Sequence, residues 1–285
     1  MKGLVVKNIS DKYIVWIDGA SVDAKPRGKL KKSDKLLVGD YVECVRADNE
    51  WIIESRYDRK NQFIRPSIAN IDALCILVTE VPLVDKLLVD KLIIKCFENK
   101  IRPIIVINKI DIVSASFIQE IEQEYYFLEV IKVSALTGEG VSELKYAIKG
   151  QLTALTGQSA VGKSKLSRVL GADALEGDIS KKTLRGRHTT RHTQIYILPD
   201  EVLLADTPGF SRLDINELKF TDLKYYYPEF ASFKCKYASC DHIEQKISEC
   251  SIKVALNDCK INQNRYNRYI QLYKELKEYW ETRYD

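Results

Sequence analysis

A single glycine-rich segment constrains the fold of this chain more than any other feature of the sequence. It comprises, in order, Gly157, Gln158, Ser159, Ala160, Val161, Gly162, Lys163 and Ser164. The segment fits the pattern G-x-x-x-x-G-K-[ST], in which backbone N–H groups face phosphate oxygens, the lysine reaches the β- and γ-phosphates and the serine binds Mg²⁺. An apolar run, 152–155, precedes it and a helical stretch, 165–170, follows it. The sequence therefore predicts a phosphate loop between a strand and a helix of an α/β domain.

Two segments upstream of the phosphate loop predict that the nucleotide carries guanine. The first comprises Asn108, Lys109, Ile110 and Asp111, and the second begins with Ser134 and Ala135. Each follows a strand-like apolar run, which is where ligands approach an open α/β sheet. The carboxylate of Asp111 is suited to accept hydrogen bonds from N1–H and the 2-amino group of guanine, whereas adenine offers no such pair of donors. GTP is therefore predicted over ATP.

The segment Asp-Thr-Pro-Gly at 206–209 predicts the contacts to magnesium and to the γ-phosphate. It ends an apolar run, so Asp206 is expected to hold Mg²⁺ through water and the N–H of Gly209 to touch the γ-phosphate. Ser164 is the second expected contact to Mg²⁺, and Lys163 is expected to stabilise the developing charge. Thr189 or Thr190 is expected to close over the γ-phosphate.

Two positions bear on the rate of hydrolysis. Phe210 directly follows Gly209, and because a phenyl ring cannot orient water, slow intrinsic hydrolysis is expected. His188, beside the two threonines, is a candidate for positioning the attacking water, as is His192. The alternative for both is a solvated loop histidine without a catalytic role.

The order of these motifs carries a resemblance to a known family. In most regulatory GTPases the phosphate loop comes first and the base loops come last, whereas here 108–111 and 134–136 precede 157–164. The chain resembles the circularly permuted GTPases and, given its β-rich beginning and Cys/His-containing tail, the bacterial small ribosomal subunit biogenesis GTPase A family. The likeness covers essentially the whole chain. One departure is Ala160, which stands where the family usually has glycine.

The resemblance implies a function. It implies hydrolysis of GTP to GDP and phosphate by a cytoplasmic factor for late maturation of the 30S ribosomal subunit, stimulated by that subunit, with 16S rRNA as a partner. We expect a monomer with no membrane contact. A first alternative is an RNA-binding assembly factor that is switched by nucleotide and in which hydrolysis is incidental. A second, a kinase with a phosphate loop, is disfavoured by the guanine-specific Asp111.

Four metal-ligating side chains predict a zinc site near the C-terminus: Cys235, Cys240, His242 and Cys250. Three thiols and one imidazole are the closed tetrahedral donor set that structural Zn²⁺ favours. The family usually has fewer residues between the histidine and the last cysteine, so Cys259 is held as the reserve ligand. The remaining cysteines, Cys44, Cys75 and Cys96, lie in apolar stretches and are expected in the core.

Three domains are predicted. Residues 1–62 hold four or five short strands and are expected to form an OB-like β-barrel of the RNA-binding type. Residues 63–218 alternate strands and helices and form the circularly permuted GTPase domain, and residues 219–285 form the zinc-binding helical domain. Since 206–209 leads straight into this tail, nucleotide state is hypothesised to move it.

The charge pattern leaves nucleic-acid binding open. The chain has 44 basic and 40 acidic residues, a formal net charge of +4, which is too mild to predict RNA binding. The candidate RNA-facing residues are a basic run, three aromatic residues and two arginines of the last helix, each with a solvated or core alternative: Lys25, Arg27, Lys29, Lys31, Lys32, Lys35, Tyr13, Trp16, Trp51, Arg265 and Arg268. The longest apolar stretches are strand-sized, so no membrane segment is predicted.

Overall fold

Thirteen strands and six α-helices form the described parts of the computed structural model, which are residues 1–9, 12–28, 35–63, 66–172, 193–206 and 214–283. The strands are β1 (Lys2–Ile9), β2 (Lys12–Ile17), β3 (Ala20–Pro26), β4 (Tyr41–Ala47), β5 (Glu50–Arg56), β6 (Gln62–Phe63), β7 (Ile68–Ala69), β8 (Ala73–Val78), β9 (Arg102–Asn108), β10 (Glu129–Val133), β11 (Leu152–Thr156), β12 (Gln194–Leu198) and β13 (Val202–Asp206). The helices are α1 (Lys86–Glu98), α2 (Ala115–Glu124), α3 (Val141–Ala147), α4 (Lys163–Leu170), α5 (Ser251–Asn257) and α6 (Gln263–Thr282). 3-10 segments lie at Pro199–Glu201, Phe220–Tyr226, Pro228–Phe230 and Ile247–Glu249.

The first five strands close into a barrel. They pair in the order β1-β2-β3-β5-β4, and β4 pairs back onto β1, with Leu4 opposite Tyr41. Alternate residues point inward, as period-two strands require, and Val15, Val42 and Ile53 are fully buried. The predicted N-terminal barrel is confirmed. Its third strand, β3, has one β-branched residue, Val22, and no aromatic residue, and for that reason the sequence pattern did not single it out.

The central sheet has the order β10-β9-β8-β11-β13-β12. The first five of these strands are parallel and β12 is antiparallel to β13. Every residue of β8 is buried, because helices cover both faces of the sheet. Strand pairing joins the barrel to this sheet where Lys7 of β1 lies opposite Gln194 of β12. The predicted central α/β domain is confirmed.

Two apolar layers flank the central sheet, and the alternation along β8 separates them. Leu74 and Ile76 face one layer, which includes Leu92 of α1 and Ile121 of α2. The intervening residues face the other layer, to which α3 and α4 contribute Leu144, Leu166 and Leu170. The layers fix where the sheet ends and therefore where its loops emerge. No helix among the described residues combines the length and the apolar character needed to cross a bilayer.

The C-terminal tail, residues 219–283, is built around α6. The helix begins at Asn262, whose side chain accepts hydrogen bonds from the backbone N–H groups of Asn264 and Arg265. Tyr266, Tyr269, Leu272 and Leu276 recur at helical spacing and are buried in the tail's core. Ile94 of α1 belongs to the same cluster, so the tail packs directly against the GTPase domain.

A buried charge network fastens the tail to α1 and α2. Arg265 forms ion pairs with Asp90 and with Glu229, both at 2.6 Å, and is only 2% exposed. Arg268 pairs with Asp90 at 2.6 Å and with Glu124 at 2.5 Å. Burial acts to lower the pKa of Arg265, but the Asp90 and Glu229 carboxylates outweigh it and hold that pKa above its usual value. Both arginines therefore face the interior, which corrects the suggestion that they face RNA.

Candidate nucleotide-binding site and metal centre

The sheet brings the predicted nucleotide segments to one edge. Asn108 is the last residue of β9, Ser134 follows β10, Gly157 follows β11 and Asp206 is the last residue of β13. These four strands are parallel, so their carboxyl ends lie at the same edge of the sheet. Segments that are up to about a hundred residues apart in the sequence thus meet in one cleft region, where open α/β sheets bind ligands.

Asn108 braces the phosphate loop against the base loops. Its side-chain amide donates to the carbonyl oxygen of Val161 at 2.8 Å, and its side-chain oxygen accepts from the N–H of Ala135 at 3.1 Å. Gly162 lies so close that a Cβ atom there would stand 2.3 Å from Nδ2 of Asn108, and its φ is +99°. Only glycine satisfies both conditions. The two loops therefore pack directly against each other through Asn108 and Gly162.

Asp111 is held in place by a hydrogen bond from Ser134. The Ser134 hydroxyl donates to Oδ1 of Asp111 at 2.5 Å and itself accepts from the N–H groups of Leu136 and Thr137 at 3.2 and 3.1 Å. The Asp111 side chain is exposed, so its carboxylate is accessible from solvent. Lys109 has a φ of +65°, and its ammonium donates to the carbonyl of Val81 at 2.9 Å. Ile110 lies between them, and its N–H donates to the carbonyl of Val133.

Lys163 is oriented by its own loop. Its ammonium donates to the carbonyls of Gly157 and Gln158 at 2.8 and 2.7 Å. An ammonium has three donors, so a phosphate oxygen would complete the set. Burial lowers the pKa of Lys163, which a phosphate dianion at the N-terminus of α4 would oppose. Ser164 lies exposed in the first turn of that helix.

The backbone of the phosphate loop is strained at one point. Ala160 has a φ of +63°, in the left-handed region that favours glycine. At this position the family usually has glycine, which adopts this backbone conformation more easily than Ala160 does. Gly157 also has a positive φ, +138°, and a Cβ atom there would stand 2.5 Å from the carbonyl oxygen of Leu77. The remaining loop residue, Ser159, is exposed.

The magnesium side of the site is described only in part. Asp206 ends β13, which pairs with β11 through Ala205 and Ala154, so Asp206 and the phosphate loop emerge from neighbouring strands. Carboxylate and hydroxyl oxygens, such as those of Asp206 and Ser164, are ligands that Mg²⁺ prefers. The other predicted contacts lie outside the described residues: Thr189, Thr190, His188, His192, Gly209 and Phe210.

The tail brings Cys235, Cys240, His242 and Cys250 together, with their ligand atoms all within 4.8 Å of one another. Nδ1 of His242 is 3.5, 3.3 and 3.6 Å from the three sulfur atoms, taken in chain order. The first and last of these sulfurs are 3.9 Å apart. In tetrahedral zinc sites the donor atoms are about 3.5–3.8 Å apart, given Zn–S of about 2.3 Å and Zn–N of about 2.0 Å. The group has the donors and the spacing to hold a zinc ion.

The other cysteines separate clearly from this group. Cys259, the reserve ligand, is exposed and is not among the four. Cys44, Cys75 and Cys96 are buried in the apolar core, as predicted. Tyrosine hydroxyls from α6 support the metal-ligating loop: Tyr266 donates to the carbonyl of His242 at 2.5 Å and Tyr269 to the carbonyl of Asp241 at 2.6 Å.

Several of the candidate RNA-facing residues of the barrel have partners within the barrel. Lys25 pairs with Glu50 at 2.6 Å, and Arg27 pairs with Glu54. Partly buried Tyr13, Trp16 and Trp51 pack against core clusters, which favours the core interpretation of these aromatics. Lys35 is exposed, whereas Lys29, Lys31 and Lys32 lie outside the described residues. The barrel thus carries less free positive charge and fewer open aromatic faces than its sequence suggests.

With this geometry in place, comparison with known proteins decides the family. The family model described as RsgA GTPase matches residues 56–216, and that described as RsgA N-terminal domain matches residues 2–51. The chain belongs to the RsgA GTPase family. It is therefore a GTP hydrolase.

Curated relatives and solved structures agree with this assignment. Small ribosomal subunit biogenesis GTPase RsgA from Clostridium botulinum is 36% identical over 97% of each chain, and its namesake from Clostridium beijerinckii is 35% identical over 97% of each. The crystal structure of YjeQ from Thermotoga maritima superposes with a TM-score of 0.84 and 31% identity, covering 96% of this chain and 98% of that one. YloQ, described as a circularly permuted GTPase, has a TM-score of 0.82 and 27% identity, covering 97% and 95%.

Two features of the site were not predicted from the sequence. One is the buried charge network centred on Asp90, and the other is the pair of hydrogen bonds that the Gln158 side chain makes to Leu83 and Asp85. A signal for Asp90 was present, because Leu87, Asp90 and Ile94 share one face of α1 and the two apolar residues pack into the tail's core. A charged residue on an apolar helix face predicts a partner of opposite charge, because a buried charge is costly unless it is paired.

Proposed function

We propose that this RsgA-family GTPase acts in late maturation of the 30S ribosomal subunit, in the cytoplasm and as a monomer, and that the subunit stimulates its hydrolysis of GTP. Relatives named for small ribosomal subunit biogenesis match along 97% of this chain and support the proposal. 16S rRNA is the proposed nucleic-acid partner. The three proposed domains remain 1–62, 63–218 and 219–285.

One observation carries the proposal of a guanine-nucleotide site. Asn108 bonds both to the phosphate loop, through the Val161 carbonyl, and to the second base loop, through the Ala135 N–H. These hydrogen bonds connect the loops that carry Asp111 and Lys163. We assign recognition of guanine to Asp111. Lys163 and the amides of the phosphate loop are assigned to the charge that develops on the transferred phosphoryl group.

Further roles follow from the chemistry of the residues. Ser164 and Asp206 would hold Mg²⁺, which neutralises phosphate charge when bound. Thr190 or Thr189 would close over the γ-phosphate, with the N–H of Gly209 as a further contact, and His188 is the candidate for positioning water. Zinc is the proposed metal of the tail group, where it would act structurally, because all four positions of a tetrahedron are taken by protein ligands.

Phosphate release from GTP and, separately, from ATP tests the proposal. Asp111→Ala should raise KM for GTP about 100-fold, since two hydrogen bonds to a charged acceptor are worth about 3 kcal/mol together. Hydrolysis by the unaltered chain should be slow and should rise sharply when purified small ribosomal subunits are added. Asp258→Ala, at an exposed position of the tail, serves as the control. Equal use of ATP and GTP would contradict the base assignment, and an unchanged rate with subunits would contradict the partner.

A further inference from the structure

The segment that follows β8 is contacted by more than one of the nucleotide motifs. We name residues 79–85 the bridging segment. The ammonium of Lys109, from the first base loop, donates to the carbonyl of Val81 at 2.9 Å. The carboxylate of Glu80 accepts from the N–H and the hydroxyl of Ser114, at 2.7 and 2.9 Å, at the start of α2. The bridging segment is therefore tied to the guanine side of the site.

The phosphate loop holds the same segment through one side chain. Oε1 of Gln158 accepts from the N–H of Asp85 at 2.7 Å, and Nε2 of Gln158 donates to the carbonyl of Leu83 at 2.7 Å. The backbone carbonyl of Gln158 accepts from the ammonium of Lys163 at 2.7 Å. One residue thus contacts the phosphate-binding lysine through its backbone and the bridging segment through its side chain.

The bridging segment leads directly into the contact with the tail. The side chain of Asp85 caps α1 by accepting from the N–H of Leu88 at 3.0 Å. Asp90, in the second turn of α1, accepts from Arg265 and Arg268 of α6, both at 2.6 Å, and is 1% exposed. Because this contact is buried and charged, α6 has to follow any displacement of the N-terminal half of α1, or else leave charges unpaired.

The contacts continue from α6 to the metal-ligating loop. Tyr266 and Tyr269 lie on α6 beside the two arginines and donate to the carbonyls of His242 and Asp241. A continuous set of hydrogen bonds and ion pairs therefore runs from the phosphate loop, through the bridging segment and α1, to the metal group. This route shares no residue with the covalent connection through 207–213.

We propose that Gln158 is a positioning residue that couples occupation of the phosphate loop to the placement of α6 and the metal-ligating loop. A nucleotide phosphate draws on the donors of Lys163 and on the backbone N–H groups of the loop. Lys163 donates a hydrogen bond to the carbonyl of Gln158. A phosphate that binds Lys163 therefore alters the contacts of Gln158, whose side chain holds the bridging segment. The proposal rests on the nucleotide site proposed above, and the experiment below separates failure of that site from failure of the coupling.

Hydrogen exchange of the full-length chain tests the coupling at saturating GDP. Nucleotide should slow exchange of residues 86–98 and 263–282 about fivefold or more in the unaltered chain. Gln158→Met keeps the length of the side chain and removes both hydrogen bonds, so at a GDP concentration that saturates this variant it should lose the slowing. Gln158→Glu keeps the acceptor for the N–H of Asp85 and should restore part of it. Gln119→Met, at an exposed position of α2, is the matched control.

Fluorescent GDP, measured first, reports binding by each protein and makes the outcomes separable. No binding by the unaltered chain would overturn the nucleotide site together with the coupling. Binding without any change in exchange of 263–282, or the same change in Gln158→Met as in the unaltered chain, would overturn the coupling alone. A purely structural role of Gln158 would alter exchange equally with and without nucleotide, which also contradicts the proposal.

Discussion

The nucleotide loops and the metal-ligating tail are held in place by different interactions. The loops rest on a sheet whose central strand β8 is buried along its whole length, and their shape depends on backbone conformations, such as φ of +99° at Gly162, and on side chains that bond to backbone groups. The tail depends on contacts between side chains: the ligands of the metal group, the tyrosine hydroxyls of α6 and the ion pairs of Arg265.

The difference lies in where the free energy of ordering comes from. A buried parallel sheet orders its loops through hydrophobic burial, which acts whether or not a ligand is bound. The segment 231–250 has one short 3-10 turn, Ile247–Glu249, and no α-helix or strand, so a metal bound to its four ligands would add order to it. The sheet should therefore tolerate single changes better than the tail.

Metal removal should give the largest effect. Binding free energies of structural zinc in small domains are about 10–16 kcal/mol, so chelation should unfold the metal-ligating loop while β8 and β9 keep their protection. Hydrogen exchange before and after chelation, with metal content measured on the same sample, checks this. Cys240→Ser should behave like the chelated protein, and Cys259→Ser, outside the group, should not. An ordered loop in metal-free protein would contradict the comparison.

Breaking the charge network should cost less, but still more than an ordinary surface change. Arg265→Ala leaves Glu229 buried without its cation and Asp90 with Arg268 alone, and it should lower the free energy of unfolding by about 3–5 kcal/mol. Urea unfolding measures this value. Arg46→Ala, at an exposed position of the barrel, should change it by less than about 0.5 kcal/mol. Equal effects of the two substitutions would show that the network adds no stability.

A stabilising change is expected in the phosphate loop. Ala160→Gly relieves a left-handed backbone, which costs an alanine about 1–2 kcal/mol, and part of the gain is offset by the greater freedom of glycine in the unfolded chain. The net gain should be about 0.5–1 kcal/mol, seen as a higher Tm. Ala147→Gly, in α3, should have the opposite sign because its backbone is helical. A lower Tm for both would contradict the assigned strain.

Thiol reactivity should separate the two regions without changing stability. Burial raises the pKa of Cys44 to about 11 and that of Cys75 to about 12, so both should remain protonated and unreactive towards iodoacetamide at pH 8. Cys259 is exposed and should react first. Mass spectrometry of the native protein checks the order, and labelling in urea, where all thiols are exposed, is the control. Early labelling of Cys75 would show that the sheet opens readily.

Much of the fold was predictable because its signals are local. Apolar runs followed by the motifs at 108, 134, 157 and 206 indicated both the parallel strands and the edge at which the motifs meet. The metal group was predictable from residue types alone, and the structure favours Cys250 over Cys259 within it. For each nucleotide motif and for the metal group, the residues concerned lie within one short stretch of sequence.

What could not be predicted depends on contacts between distant segments. Asp90 and Arg265 are 175 positions apart, and no local pattern distinguishes a buried arginine on α6 from one that faces RNA. The same holds for Lys25 and Arg27, whose partners lie on the neighbouring strand β5. Charge runs show which residues are basic, but only the tertiary structure shows which of those charges are already paired.

The pairing of Lys7 with Gln194 has a consequence for self-association. β12 is the last strand of the central sheet, and a bare edge strand offers unpaired N–H and C=O groups to strands of other molecules. The barrel lies against this edge and covers it at the register of Gln194. By occupying that position, the N-terminal domain covers β12 at Gln194, and a chain shortened to begin after the barrel would leave this edge open to strands of other molecules.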